Sequence, residues 1–205
     1  MKKTIFTLLL VLVVQIINAQ TLELNSNGYS SKFKKIDTLF YNKYFGSKPV
    51  SKDVNIINTV QANDNGFSII TRSITETNNL TEKFAGSKKL LTTSFYEYSD
   101  GTLQAPTELL FFKPAKISTV LTDFKQFGKV TKHNIFKGYY YLQVNTSIYN
   151  TGDKIMGLCN SLYSDRKVVI IEPIFIKLMK PTNPLLPNHG ILPILVYLEV
   201  LQVLI

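Results

Sequence analysis

The chain has 205 residues, an apolar fraction of 45% and a formal net charge of +9. That length holds one domain or two small ones, and that apolar fraction excludes a disordered chain. Lysine supplies nearly all of the positive charge, since Arg72 and Arg166 are the only arginines. The lysines are scattered, with only short pairs such as Lys34-Lys35 and Lys88-Lys89. Dispersed charge of this kind reads as a solvated surface, not as the concentrated basic element of a nucleic-acid binder. No nucleic-acid partner is expected. Cys159 is the single cysteine, which excludes an intrachain disulfide. It lies in an apolar helical pattern and is expected to be core packing rather than chemistry. No metal-ligand spacing and no cofactor motif occur, so no cofactor is expected.

The N-terminus carries Lys2 and Lys3, then the apolar run Ile5 to Ile17, then Asn18-Ala19-Gln20. This is the pattern of a secretory signal peptide cleaved between Ala19 and Gln20. The apolar run is shorter than the ~20 residues that a membrane span requires. The mature product is therefore expected to be secreted, in a periplasmic or extracellular compartment, with no membrane partner once the signal is removed.

Residues 20–104 read as a β-rich region of unknown role. Gly66 to Ile74 is a β-branched strand, Asn78 to Lys88 a short helix, and Leu90 to Ser99 a second strand closed by a turn at Asp100-Gly101. From Thr107 the pattern sharpens. Glu108 to Lys113 is an apolar strand ended by Pro114. Ile117, Val120, Leu121 and Phe124 then recur at helical spacing, with Gly128 where a helix C-cap belongs. Lys129 to Phe136 is a strand interrupted by Gly138, and Tyr139 to Val144 alternates as another. Thr151 or Asp153 can cap a second helix carrying Ile155, Leu158, Cys159 and Leu162, and Val168 to Ile171 is the last strand. The predicted fold class is α+β: a ferredoxin-like β-α-β-β-α-β domain over residues 105–180, preceded by the β-rich region. Its last strand would lie at an edge, where Pro173 is tolerated.

Ile171-Glu172-Pro173-Ile174-Phe175, followed by Pro181-Thr182-Asn183-Pro184-Leu185-Leu186-Pro187-Asn188, resembles the junction between propeptide and catalytic domain in secreted subtilisin-like serine proteases. Phe112-Lys113-Pro114 resembles the first strand of such propeptides. The resemblance covers Thr107 to Asn188 and departs from the family at Asn183-Pro184, where an Asp is usual between the two. The tail from His189 to Ile205 is almost wholly apolar. Read one base earlier, its codons can encode W-x-x-T-N-T-G-x-x-G-G-T-A-G-I-D, which is similar to the start of the family's catalytic domain. Residues 181–205 are thus expected to be a remnant of that domain's N-terminus with a frameshifted tail.

The resemblance implies an intramolecular chaperone and inhibitor whose partner is a subtilisin-like catalytic domain, in cis or in trans. The segment that would enter the protease cleft is Phe175, Ile176, Lys177, Leu178, Met179 and Lys180. The chain itself carries no catalytic residues. It has no Asp-Thr-Gly, no His-Gly-Thr and no Gly-Thr-Ser, and its only histidines are His133, expected exposed on a strand, and His189. The rival expectation, resting on the unexplained Thr21 to Gln104 stretch, is a stand-alone secreted binding module.

Overall fold

A computed structural model of the chain describes residues 21–46, 56–57, 66–84, 86–178 and 196–198. The strands run β1 (Thr21–Ser26), β2 (Tyr29–Phe45), β3 (Ile56–Ile57), β4 (Gly66–Thr71), β5 (Lys88–Glu97), β6 (Leu103–Pro114), β7 (Gly128–Lys132), β8 (Tyr140–Val144), β9 (Val168–Leu178) and β10 (Val196–Leu198). Three helices interrupt them: α1 (Ile74–Lys83), α2 (Val120–Phe124, entered through a 3-10 turn at Ile117–Thr119) and α3 (Gly152–Ser164).

The described strands form one ten-stranded sheet in which every pairing is antiparallel. Its main path is β10-β9-β6-β5-β2-β4-β3, with β1 on β2 and β8 on both β6 and β7. β6 carries β9 along one edge. Its other edge pairs with β5 only at Leu103 and Gln104, and then with β8 from Leu109 to Phe112. Between those stretches the sheet forks. The fork coincides with a bulge: the step of four along β6 from Pro106 to Leu110 is matched by a step of two along β9 from Phe175 to Pro173.

This arrangement corrects the expected fold class. The chain is a mostly antiparallel β-sheet with few helices, not a small ferredoxin-like α+β unit behind a separate β-rich preface. The expected boundary at residue 105 falls inside β6. The reason is the β5–β6 hairpin, which splices the N-terminal strands into the sheet. It closes through Tyr98 N–H to Thr102 O (2.9 Å), with Gly101 at φ +79°, a conformation that glycine adopts without strain. α2 is only five residues long, with Val120 and Phe124 in the core but Ile117 outside it. Gly128 does not cap a helix; it opens β7, where a Cβ would stand 2.0 Å from the Gln143 carbonyl oxygen. α1 starts at Ile74 rather than Asn78, because Ser73 Oγ accepts from Glu76 N–H as its N-cap.

α3 lies over the junction. Thr151 Oγ1 caps it by accepting from Lys154 N–H, and Ile155, Met156, Leu158, Cys159 and Leu162 are buried. They share one core with Leu24 and Phe33 from the N-terminal strands, with Phe95, Leu110, Phe112, Leu142 and Ile171, and with Val120 and Phe124 of α2. Asn160 fastens β1 to the helix, taking Asn25 N–H on Oδ1 (2.9 Å) and donating to Glu23 O (2.6 Å). A second, smaller core forms where α1 meets β4 and β2: Tyr44 stacks on Phe67, and Phe84 meets both rings edge-on.

Candidate functional site

The two segments that resemble a propeptide's first and last strands are neighbours in the sheet. Phe112 faces Ile171, Phe111 faces Glu172 and Leu110 faces Pro173. Thr107 Oγ1 donates to Ile174 O (2.8 Å), which bridges the bulge. On the far edge of β9, Ile171 N–H donates to Ser26 Oγ (3.3 Å), so the β1–β2 turn covers this part of the strand. Burial pushes the Glu172 carboxyl above its usual range, against the opposing pull of its hydrogen bond with Ser26.

The expected cleft segment divides. Phe175 is buried and stacks on Phe33 with ring centroids 5.7 Å apart, and Ile176 is fully buried. Lys177 and Leu178 are half-buried, and β10 pairs with Ile176 to Leu178 from the side opposite β6. Met179 and Lys180 lie outside the described residues, as do Ala19 and Gln20 of the expected signal cleavage site and the tail from His189 to Ile205 save Val196–Leu198. β9 therefore holds the first part of the segment as structure.

Cys159 and His133 are both withdrawn from solvent. Cys159 is fully buried, and burial followed by the charge of Glu172 raises its thiol pKa far beyond physiological pH. His133 is not an exposed strand residue as expected. It follows β7 and is 8% exposed, packed among the rings of Phe111, Phe136 and Tyr141. Its Nδ1 accepts from the N–H groups of Ile135 and Phe136, both at 3.0 Å, and so folds its own loop. His189 lies outside the described residues. Among the described residues no group of three or more His, Cys, Asp or Glu side chains is arranged to hold a metal ion.

Sequence reasoning missed the crotch of the fork. Here Lys43 of β2 forms an ion pair with Glu108 of β6, and both side chains are about 95% withdrawn from solvent (5% and 6% exposed). Among the described residues, Glu108 Oε2 has no hydrogen-bond partner. The pair stands at the wall of a cleft of about 420 Å³ lined also by Lys129, Gln143, Asn145 and Thr146. The signal was available in principle: Lys43 and Glu108 each adjoin apolar strand residues, in LFYNKYF and ELLFF, and a buried charge requires a partner. On the other side of the sheet, Asp153 at the start of α3 takes hydrogen bonds from Lys35 Nζ (2.6 Å) and Tyr96 Oη (2.5 Å).

No family model, curated protein or solved structure matches this chain.

Proposed function

We propose that the chain is the pro-region of a subtilisin-like serine endopeptidase, acting as intramolecular chaperone and inhibitor and lacking an Asp/His/Ser triad of its own. One observation carries the reading. The Phe112-Lys113-Pro114 and Ile171-to-Phe175 segments, far apart in the sequence, lie on adjacent strands and meet at the Phe112–Ile171 pair. In the proposed complex β9 delivers the chain into the protease cleft as an added strand, with main-chain hydrogen bonds supplying affinity. Phe175 and Ile176 anchor the segment in the sheet, and the residues from Lys177 to Lys180 run toward the catalytic groups. The localisation that accompanies this role is secreted.

The test is inhibition of a purified subtilisin-like catalytic domain by the chain from Gln20 onward. Inhibition at micromolar concentration is expected, lost when the chain is cut after Leu178. No inhibition by the uncut chain, or the same inhibition after the cut, overturns the reading. A serine-directed fluorophosphonate should leave the chain unlabelled. Labelling abolished by one Ser substitution would make it an enzyme instead.

A second reading, a stand-alone secreted binding module, is favoured by one specific feature. Leu24, Phe33, Tyr41 and Phe95 of β1, β2 and β5 share one core with β9, with Phe33 on Phe175 and Ser26 on Ile171, so these strands are integral rather than an appended preface.

A further inference from the structure

The end of the molecule where β7, β8 and α2 meet gathers apolar side chains that the sequence keeps apart. Ile135 is 80% exposed and Phe136 38%, both on the loop folded by His133. Ile117, 59% exposed on the turn before α2, reaches the same place, since its Cδ1 lies 3.7 Å from where a Cβ on Gly138 would be. Behind them stand stacked rings: Tyr139 lies parallel to Phe111 at 5.0 Å and near Phe136 at 6.0 Å. The loop is thus an outward-pointing apolar tip on a rigid aromatic base.

Lysines surround that tip. Lys113 Nζ sits over the Tyr139 ring at 5.6 Å, Lys116 adjoins Ile117, Lys132 precedes His133 and Lys137 follows Phe136; all four are exposed. No acidic residue occurs from Phe124 to Gly152. The carboxylates on flanking elements are engaged elsewhere: Asp123 accepts from Thr119 Oγ1, and Glu172 is held by Ser26 with its acidity suppressed by burial. An exposed apolar tip inside a collar of one charge sign defines a partner that is apolar within and anionic at its surface.

We propose that this tip docks on an anionic lipid bilayer, with Ile117, Ile135 and Phe136 entering the headgroup–acyl boundary while the lysines meet lipid phosphates. Three features favour lipid over an acidic protein. The cations are lysines, which protein interfaces use sparingly and which reach from apolar depth to headgroups along flexible stems. The apolar residues protrude rather than line a groove. Tyr139 and Tyr141 stand beneath the tip, the kind of ring that settles at the water–lipid boundary. Interfacial binding of this sort needs apolar insertion and charge together, and both are present. The proposal departs from the expectation that the mature chain has no membrane partner, and it does not depend on the protease reading.

The test is co-sedimentation of the full chain with vesicles of phosphatidylcholine alone and of phosphatidylcholine with phosphatidylglycerol, alongside the I135S/F136S variant. Both positions are exposed, so the variant is expected to keep its fold, checked by circular dichroism. Binding should favour the anionic vesicles, fall as salt is raised, and drop on the order of tenfold in the variant. A second variant, K132E/K137E, should lose the preference for anionic lipid. Equal partition of wild type and I135S/F136S would overturn the proposal, because the apolar segments at either terminus would then account for the binding. Indifference to phosphatidylglycerol, or self-association of the wild type through the tip without vesicle binding, would also overturn it.

Discussion

The two limbs of the forked sheet bury different chemistry. Where the limb of β6, β8 and β9 meets α3 it buries apolar side chains: Leu110, Phe112, Leu142, Ile155, Leu162 and Ile171 are each at most 1% exposed. The limb of β2, β4 and β5 buries Asn42, Lys43, Ser68, Thr71, Thr77 and Thr93 just as deeply, all below 5%. Asn42, Thr71 and Thr77 form one hydrogen-bonded chain. Thr92 Oγ1 donates to Asn42 Oδ1 (2.9 Å), Asn42 Nδ2 to Thr71 Oγ1 (3.1 Å), and Thr71 Oγ1 meets Thr77 Oγ1 (2.5 Å). Tyr41 Oη shares a hydrogen bond with Ser68 Oγ (2.9 Å). An apolar core tolerates any side chain of suitable shape, whereas a polar one must be complete. The first limb should therefore fail by cavity formation and the second by unpaired groups.

The largest difference is expected at the crotch. Lys43→Met leaves the Glu108 carboxylate buried without its cation and should destabilise by about 3–5 kcal/mol. Adding Glu108→Leu to the same chain should recover most of that loss, since the desolvated pair is replaced by apolar volume. Chemical denaturation of the single and double variants checks this. If the double variant is as unstable as the single one, the pair does more than neutralise itself.

In the apolar limb, Leu158→Ala should cost ~2–5 kcal/mol, as expected for a buried leucine under a helix that cannot collapse fully onto the sheet. In the polar limb, Thr71→Val keeps the shape and removes the hydroxyl between Asn42 and Thr77. It should cost about 1–3 kcal/mol, set by the donor left unpaired rather than by lost volume. The contrast sharpens if Leu158→Met is nearly neutral while Thr71→Val is not. Equal tolerance at both sites would mean that the polar chain is wetter than its burial implies.

The same contrast decides what the sequence disclosed. α3 was legible because Ile155, Leu158, Cys159 and Leu162 repeat at helical spacing over a one-sided core. β8 was legible because Tyr140, Leu142 and Val144 alternate. β2, the longest strand, was missed. Its pairing with β5 steps from Ile36/Phe95 to Phe40/Ser94, so residues 37–39 have no partner and the alternation breaks. Its second half then buries Asn42 and Lys43 beside Tyr41 and Tyr44, so polar and apolar residues do not alternate there. The fold class failed for a related reason: the joining of the limbs depends on two residue pairs between β5 and β6 and on a shared core, and neither has a local signature. Of the candidate sites, the β9 segment was visible in the sequence. The Lys43–Glu108 pair and the Ile117–Ile135–Phe136 tip exist only by long-range juxtaposition.

The smallest expected effect concerns the contact that ties the limbs together outside the core. Asp153 starts α3 on one limb, while Lys35 and Tyr96, which bind it, belong to the other. Burial pulls its carboxyl upward, but the hydrogen bonds from Lys35 and Tyr96 and the charge of Lys35 outweigh that, so it titrates below the usual carboxylate range. A carboxylate held down in the folded state contributes stability above its unfolded value, and that contribution disappears as pH falls through the folded value. Asp153 is half-exposed, so the contribution at neutral pH is limited to about 1 kcal/mol or less. Glu172 has the opposite sign. Its folded value is raised by burial, so stability is lost as pH rises from the ordinary glutamate value to the raised one. Melting temperature measured between pH 3 and 8 should separate the two. Asp153→Asn should lower the plateau slightly and flatten the acid limb, whereas Glu172→Gln should raise the neutral plateau and leave the most acidic points unchanged. If Asp153→Asn instead lowers stability equally at every pH, the carboxylate serves as a neutral hydrogen-bond acceptor. The Lys35 and Tyr96 hydrogen bonds would then tie the limbs with no contribution from its titration.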